Sequence, residues 1–245
     1  MNAQKERPIL FSATMVRALL AGTKTQTRRV VKPKHLPEGH WMVETRGSRH
    51  ELTHWDNDTA DTSLIACPYG QPGDRLWVRE TWRIGSWDDG CGFWIDYCDG
   101  PRKERLECPD VDFAYRLIEQ TCEDLRKCNF QPTNGTMYEW APGQSPLRWR
   151  PSIHMPRWAS RITLEVTGVR VERLQDISEA DCIAEGCTQN HNGYYRGGPH
   201  AVGGLKQMET AKAAYRDLWE SINGPDSWDA NPWVWAIEFK QMETA

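Results

Sequence analysis

Apolar and polar side chains alternate along residues 162–172, and this pattern constrains the fold more than any other stretch of the chain. An alternation with a period of two places the apolar side chains on one face of a β-strand. Residues 8–11, 76–82 and 233–239 carry shorter versions of the same signal. The sequence therefore predicts a sheet with a covered face, because a half-apolar strand must bury that face against another layer.

Three other segments carry helical signals, namely residues 13–21, 176–186 and 206–222. In the first and third segments, apolar residues recur every three or four positions, as on the buried face of a helix. The second segment begins with polar capping residues and ends at Gly186, as short helices commonly do. The sequence thus carries signals for both strands and helices.

The length of 245 residues suits one large domain that carries insertions. We expect a single domain over residues 1–245, with insertions at about 34–62, 85–150 and 187–211. The first insertion could contain a hairpin. In the second insertion, residues 93–97 and 113–115 are predicted to pair as strands. In the third insertion, residues 187–205 are predicted to form a loop that could act as a lid.

The net charge of −4 hides an uneven distribution of charge along the chain. Residues 1–37 contain eight Lys and Arg against one Glu, a net of +7, so the remainder carries −11. A local basic surface can bind phosphate even on an acidic protein. The alternative is a basic arm that is only solvated.

Residues 147–161 combine four Arg, two Trp and one His with no acidic residue. Basic side chains beside aromatic ones suit a nucleic acid, because phosphates take the charge and bases stack on the rings. The alternative is a proline-fixed loop whose Trp side chains belong to the core. The residues predicted to contact nucleic acid, from this loop and from earlier in the chain, are Arg28, Arg29, Arg79, Arg148, Arg150, Arg157 and Trp158.

Residues 22–29 follow the first predicted helix and contain one lysine, three threonines, one glutamine and two arginines. Gly22 can end that helix in the left-handed conformation, so the packed helix fixes the position of the polar stretch. On the predicted strand 76–82, Glu80 shares a face with apolar side chains. A carboxylate there needs a partner, because an unpaired buried charge is very costly, and Lys24 is the predicted partner.

The pattern Gly22-x-Lys24-x-x-Thr27-x-Arg29 resembles the signature of the ASCH domains, which are relatives of the PUA RNA-binding fold. Residues 73–80 resemble the strand that follows in that family, including its functional glutamate. The resemblance implies an α+β fold, namely a PUA-like (ASCH) β-barrel with flanking helices, into which this chain places large loop insertions.

Residues 7–12 and 229–235 are similar to the longer ASCH proteins carried by phages and prophages. One small type of ASCH enzyme hydrolyses N4-acetylcytidine with a lysine, a threonine and a glutamate. Lys24, Thr27 and Glu80 match those three positions. The resemblance therefore implies a catalytic trio made of these residues.

Two divisions of labour within this trio are open. Thr27 could be the nucleophile with Lys24 as its base, which requires a neutral lysine; burial lowers a lysine pKa, whereas a nearby Glu80 raises it. Alternatively, Glu80 moves protons through a water while Lys24 stabilises the oxyanion. A site that binds without catalysis, and a purely structural Lys–Glu ion pair, are further alternatives.

The expected function is action on a modified nucleoside or nucleic acid, first as an amidohydrolase of an N4-acylated cytosine-type substrate. The alternative is a non-catalytic reader of RNA, DNA or a modified base. A nuclease is a third hypothesis, since ASCH proteins have been linked to RNA cleavage. The expected partner is accordingly a modified nucleoside or a single-stranded nucleic acid.

No cofactor and no metal ion are expected. The sequence has no P-loop, G-x-S-x-G or G-x-G-x-x-G motif. Cys182, Cys187 and His191 come nearest to zinc-ligand spacing, but a fourth ligand is unclear and buried thiols are favoured. No stretch approaches the ~20 apolar residues of a membrane helix, and the N-terminus does not resemble a signal peptide. We expect a cytoplasmic protein with reduced cysteines and no membrane partner.

Overall fold

A computed structural model of the protein describes residues 5–31, 40–46, 49–55, 62–101, 105–133, 138–196 and 208–242, with the backbone alone described in 40–46, 49–55 and 62–65. The helices of these residues are α1 (Ala13–Leu20), α2 (Val111–Lys127), α3 (Glu179–Ala184) and α4 (Ala211–Asn223). The strands are β1 (Glu6–Leu10), β2 (Gln26–Val30), β3 (His40–Arg46), β4 (Arg49–Trp55), β5 (Thr62–Ile65), β6 (Arg75–Arg79), β7 (Trp82–Trp87), β8 (Gly92–Tyr97), β9 (Gly100–Pro101), β10 (Leu106–Glu107), β11 (Thr163–Arg173), β12 (Thr188–Gln189), β13 (Tyr195–Arg196) and β14 (Trp233–Gln241). The predicted α+β class is confirmed.

The chain divides into two compact units. Unit 1 comprises residues 1–9, 14–77 and 162–245, and unit 2 comprises residues 10–13 and 78–161. Most of unit 2 is thus one continuous segment that interrupts unit 1 in sequence, and the insertion at 85–150 stays a prediction. The expectation of one domain over the whole chain stays a prediction.

Unit 1 is built around a five-stranded sheet in the order β1-β6-β11-β14-β2. Its longest strand, β11, covers the alternating stretch and pairs antiparallel with β14 and β6. The register shifts between Val166 and Gly168, where a Cβ on Gly168 would lie 2.7 Å from Glu238 Oε2. This bulge explains why the apolar positions change from even to odd numbers along the strand. No closed barrel is found among the described residues, so the barrel stays a proposal.

Two capped helices cover part of unit 1. Ser178 caps α3 by accepting a hydrogen bond from the backbone N–H of Asp181. Thr210 caps α4 in the same way, with the backbone N–H of Ala213 as the donor. Their apolar faces meet in one buried cluster with the end of the sheet: Leu174, Ile177, Cys182, Cys187, Ala211, Ala214, Tyr215, Trp219, Trp228 and Val234. The predicted helix at 176–186 is confirmed by the shorter α3, and the predicted helix at 206–222 is confirmed by α4, which begins at Ala211 and ends at Asn223.

Unit 2 contains β7, β8, β9 and β10 packed with the amphipathic helix α2. The predicted strand at 93–97 is confirmed as part of β8, but the predicted strand at 113–115 is wrong because these residues lie in α2. Asp110 caps this helix, and Ala114, Leu117 and Thr121 recur at helical spacing on its buried side. The predicted strand 76–82 is also interrupted, since Glu80 lies between β6 and β7.

The first predicted insertion contains the expected hairpin, in which β3 pairs with β4 and β4 with β5. In the third, β12 and β13 form a two-stranded ladder, while residues 197–205 lie outside the described residues, so the lid stays a prediction. Among the described helices, none is long and apolar enough to cross a membrane.

Candidate functional site

Lys24 and Thr27 are held between the end of α1 and the end of α3. Gly22 ends α1 with a φ of 70°, as predicted, and the backbone N–H of Lys24 donates to the carbonyl of Ala18. The next residue, Thr25, donates its N–H to the carbonyl of Ala184 at 2.8 Å. These bonds fix the start of β2, on which Thr27 faces Ile237 of β14.

The Lys24 side chain has no exposed area and is bound by Glu185. Its Nζ donates to Glu185 Oε2 at 2.7 Å and to the backbone carbonyl of Glu185 at 2.8 Å. Burial lowers the pKa of Lys24, and the carboxylate of Glu185 only partly opposes that shift. Burial therefore changes the pKa of Lys24 more than the neighbouring carboxylate does. The sequence alone could not decide between these two opposing effects.

Arg28 is also fully buried and pairs with three carboxylates. Its guanidinium lies 2.6 Å from Glu172, 3.3 Å from Asp181 and 3.2 Å from Glu185. Burial lowers the pKa of Arg28, but the charges of Glu185 and Glu172 outweigh this and raise it. Because this side chain is enclosed and neutralised, a phosphate could reach it only by displacing a carboxylate.

Glu185 was not among the predicted site residues, although the sequence carries a signal for it. Asp181 and Glu185 are four positions apart at the end of a predicted helix, so they share one face. That face meets Lys24 and Arg28 in the fold. An acidic face on this helix and a basic β2 stretch are complementary in charge, but nothing in the sequence pairs the two segments.

A small pocket of about 60 Å³ opens beside this ion-pair network. The polar residues of its lining are Thr27, Arg28, Arg29, Glu185, Tyr215 and Asn223. The apolar part of the lining comes from Met15, Val30, Leu218, Trp219 and Ile222. Burial and the nearby Glu185 raise the pKa of Tyr215 well above its ordinary value, so the phenol stays protonated.

Glu80 is buried in unit 2 and has a strong partner there. Arg161 donates from Nε to Oε1 at 2.9 Å and from Nη2 to Oε2 at 2.8 Å, a bidentate pair. Burial raises the pKa of Glu80 despite Arg161. The expectation that Glu80 has a charged partner is confirmed, and within its own unit that partner is Arg161. A contact with Lys24 of unit 1 stays a prediction.

The other predicted nucleic-acid residues differ in exposure. Arg148 and Arg157 are exposed, whereas Arg29, Arg79 and Arg150 are half-buried. Arg150 lies over Trp82 with its guanidinium carbon 5.4 Å from the ring centroid, and burial lowers its pKa.

The two tryptophans of the basic loop have different surroundings. Trp158 packs against Phe93 in the core of unit 2, with ring centroids 5.3 Å apart. Trp158 therefore belongs to the core, which was the alternative to nucleic-acid binding. Trp149 was not predicted as a site residue, but it is the exposed tryptophan of this loop, with 42% of its surface accessible.

The cysteines nearest to zinc-ligand spacing are buried thiols. Cys182 and Cys187 belong to the core cluster of unit 1, and burial raises the pKa of each to about 12. His191 is exposed. Across the described part of the chain, no group of three His, Cys, Asp or Glu side chains could hold a metal ion.

The chain matches no family model, no curated protein and no solved structure. The likeness to ASCH domains therefore rests on the motif residues themselves. In the fold, the threonine of that motif lines the pocket, and the lysine forms an ion pair with Glu185, which lines the same pocket.

Proposed function

We propose that the chain is an ASCH-type protein of PUA-like fold that hydrolyses the amide of an N4-acylated cytosine-type substrate. One observation carries the proposal: Thr27 lines a pocket together with Glu185, which binds the buried ammonium of Lys24. Thr27 can supply the nucleophilic hydroxyl for acyl transfer from an amide, and the ammonium of Lys24 lies behind the Glu185 carboxylate. The sheet of unit 1, with α3 and α4 beside it, supports the proposed fold class.

The pocket suits an acyl group better than a whole nucleoside. Its volume of about 60 Å³ is several times the ~10–15 Å³ that one water needs, yet small for a base with its ribose. An apolar wall from α4 can pack against the acyl carbons, and the polar wall can face the carbonyl oxygen. The acyl end of the substrate would therefore enter, with the base at the pocket mouth.

In this site Thr27 Oγ attacks the carbonyl carbon of the amide. The C–N bond then breaks, the acyl group stays on Thr27 as an ester, and water later releases it as the free acid. The hydroxyl proton of Thr27 passes to the leaving nitrogen, while the ion pair with Lys24 fixes the Glu185 carboxylate at the pocket wall.

Replacing Thr27 by valine tests this function, because the change keeps the shape and removes only the hydroxyl. We expect hydrolysis of N4-acetylcytidine to fall by about 10³-fold or more, with substrate binding little changed. The assay compares wild-type and Thr27→Val protein at the same folded concentration. Wild-type protein that hydrolyses no acylated cytidine would overturn the proposal.

A second candidate function, binding of single-stranded nucleic acid, is favoured by the surface of unit 2. The exposed Trp149 has the guanidinium carbon of Arg83 4.4 Å from its ring centroid. Arg83 is itself held by Asp96 at 3.0 Å and by the carbonyl of Gly143 at 2.7 Å. A ring that is supported on one side and open on the other is a platform for a base, and Arg148 beside it is exposed.

Trp149→Ala tests the second candidate, with Trp149→Phe as the matched variant that keeps an aromatic face. We expect the alanine variant to bind a single-stranded RNA oligomer about 1–3 kcal/mol more weakly, and the phenylalanine variant to retain most of the affinity. Equal affinities for all three proteins would show that Trp149 is not a stacking platform.

A further inference from the structure

We infer that the phenol of Tyr215 recognises the substrate in the pocket that Thr27 lines, by donating a hydrogen bond to the carbonyl oxygen of the acyl group. The inference rests on the proposed function and deepens it, because it names the part of the substrate that the pocket selects. Tyr215 lines this pocket and belongs, like the rest of the lining, to unit 1. The pocket borders both faces of β2, since the consecutive residues Thr27, Arg28, Arg29 and Val30 of this edge strand all line it.

Packing on several sides fixes the ring of Tyr215. The residue lies on the buried side of α4, and only 3% of its surface is exposed. Its ring centroid lies 6.2 Å from that of Trp219 and 6.3 Å from that of Trp228. The guanidinium carbon of Arg28 lies 6.0 Å from the same centroid. A ring held in this way keeps its hydroxyl in one place, so a ligand that binds to it needs little reordering of the protein.

The hydroxyl of Tyr215 has a hydrogen-bonding capacity that the protein does not use. Within the described residues, no group donates a hydrogen bond to it or accepts one from it, and the oxygens of Glu185 accept from Lys24 and Arg28 instead. The hydroxyl also differs from the indole N–H of Trp219, which has no partner and is wholly enclosed. A largely buried polar group normally has a partner, and an acceptor atom of a ligand in the pocket would supply one.

The chemistry of the pocket favours an uncharged acceptor. Burial and the nearby Glu185 raise the pKa of Tyr215, so the phenol remains a hydrogen-bond donor at neutral pH. The buried cations of this region already have acidic partners, since Lys24 is paired with Glu185 and Arg28 with three carboxylates. A neutral donor beside neutralised cations suits the carbonyl oxygen of an amide, whereas an anion would have to compete with these carboxylates.

The experiment compares two ligands that differ at the carbonyl group. N4-acetylcytidine carries the acceptor, and N4-ethylcytidine has a methylene in its place. Both affinities are measured by calorimetry in Thr27→Val protein, in which turnover does not consume the ligand. We expect the acetyl compound to bind about 3–10-fold more tightly, and Tyr215→Phe in the same protein to remove most of this preference. Tyr115→Phe, at an exposed position, is the matched control and should keep it.

Equal affinities for the two ligands in the presence of Tyr215, an unchanged preference in Tyr215→Phe, or no binding of either ligand would overturn the inference. Stability gives a second readout. Because the hydroxyl has no partner within the described residues, Tyr215→Phe should leave the urea midpoint unchanged or raise it, and a lower midpoint would show a structural hydroxyl instead. Wild-type protein that shows the preference but hydrolyses no acylated cytidine would overturn the proposed function and support the recognition.

Discussion

Arg28 illustrates how a residue that suits a ligand on paper can serve the fold. The sequence predicts it as a phosphate ligand beside Arg29, whereas its guanidinium is enclosed by Glu172, Asp181 and Glu185. The reason is the alternation of β2, which turns neighbouring side chains to opposite faces. Spacing alone does not say which of two adjacent arginines faces the interior.

Removing Arg28 should destabilise unit 1 strongly. Arg28→Met leaves three carboxylates close together without their shared cation, so we expect the free energy of unfolding to fall by about 3–5 kcal/mol. Arg216→Met is the control, because Arg216 is exposed in its ion pair with Glu220 and its loss should cost under about 1 kcal/mol. Urea denaturation at neutral pH measures both, and equal losses would contradict the buried network.

Asp74 should contribute to the dependence of stability on pH. Burial raises its pKa, but hydrogen bonds from Arg7 and from the N–H groups of Lys5 and Gln71 outweigh this and lower it below 3.8. A carboxyl with a lowered folded-state pKa stabilises the protein above the unfolded-state value, and this stability is lost as pH falls through the folded-state value.

We therefore expect Asp74→Asn to reduce stability at pH 7 and to flatten the loss of stability on acidification below about pH 4. Urea denaturation from pH 7 down to pH 3 measures the effect. Asp89→Asn, at an exposed position, is the control and should follow the wild-type curve. A wild-type pH profile in Asp74→Asn would contradict the assigned hydrogen bonds.

At the scale of elements, the periodic stretches could be predicted and the pairings between them could not. Residues 162–172 and 206–222 carry long, regular patterns, and β11 and α4 form there. The segment 113–115 is too short to show either the strand or the helix period. Recognising α2 would have required the capping residue Asp110 and the apolar positions that follow it. Likewise, Lys24, Thr27 and the acidic face of α3 are each visible in sequence, but their meeting depends on tertiary packing.

The register of β8 and β10 makes a prediction about two cysteines. Leu106 faces Phe93 and Glu107 faces Gly92, so the next pair along the ladder is Cys108 and Cys91. The backbone N–H of Cys108 donates to the carbonyl of Cys91 at 3.5 Å. Residues directly opposite in an antiparallel ladder have Cα atoms about 4.5–5.5 Å apart, within the range that a disulfide spans.

Incubation with oxidised glutathione should therefore join Cys91 to Cys108, releasing two molecules of reduced glutathione per disulfide. Burial raises the pKa of Cys108, so we expect the reaction to be slow at pH 7 and faster at alkaline pH. Peptide mapping by mass spectrometry identifies the linked cysteines, with Cys122→Ser as a control that keeps the pair. Linkage of Cys91 to a different cysteine would contradict the register.

For the whole molecule, ion pairs take up part of the basic excess near the N-terminus. Arg7 pairs with Asp74, Lys24 with Glu185, and Arg28 with three carboxylates. Acidic residues far along the chain thus neutralise part of the +7 of residues 1–37. Arg148 and Arg157 of unit 2 are exposed, and we expect them to contribute to any attraction for phosphate.

The dependence of RNA binding on salt distinguishes this local source from the net charge of the protein. The double variant Arg148→Ala, Arg150→Ala removes two charges from the loop of unit 2, and Arg17→Ala, Arg216→Ala removes two exposed charges from unit 1. Each phosphate contact contributes about 0.7 to the slope of log K against log salt for a single strand, so the first variant should flatten the slope by about 1–1.5. The second should leave it as in wild type, although both proteins have the same net charge. An equally flattened salt slope in the two variants would show that net charge, and not the loop at 147–161, governs binding. Wild-type protein without affinity for RNA would leave only the small-molecule site of unit 1.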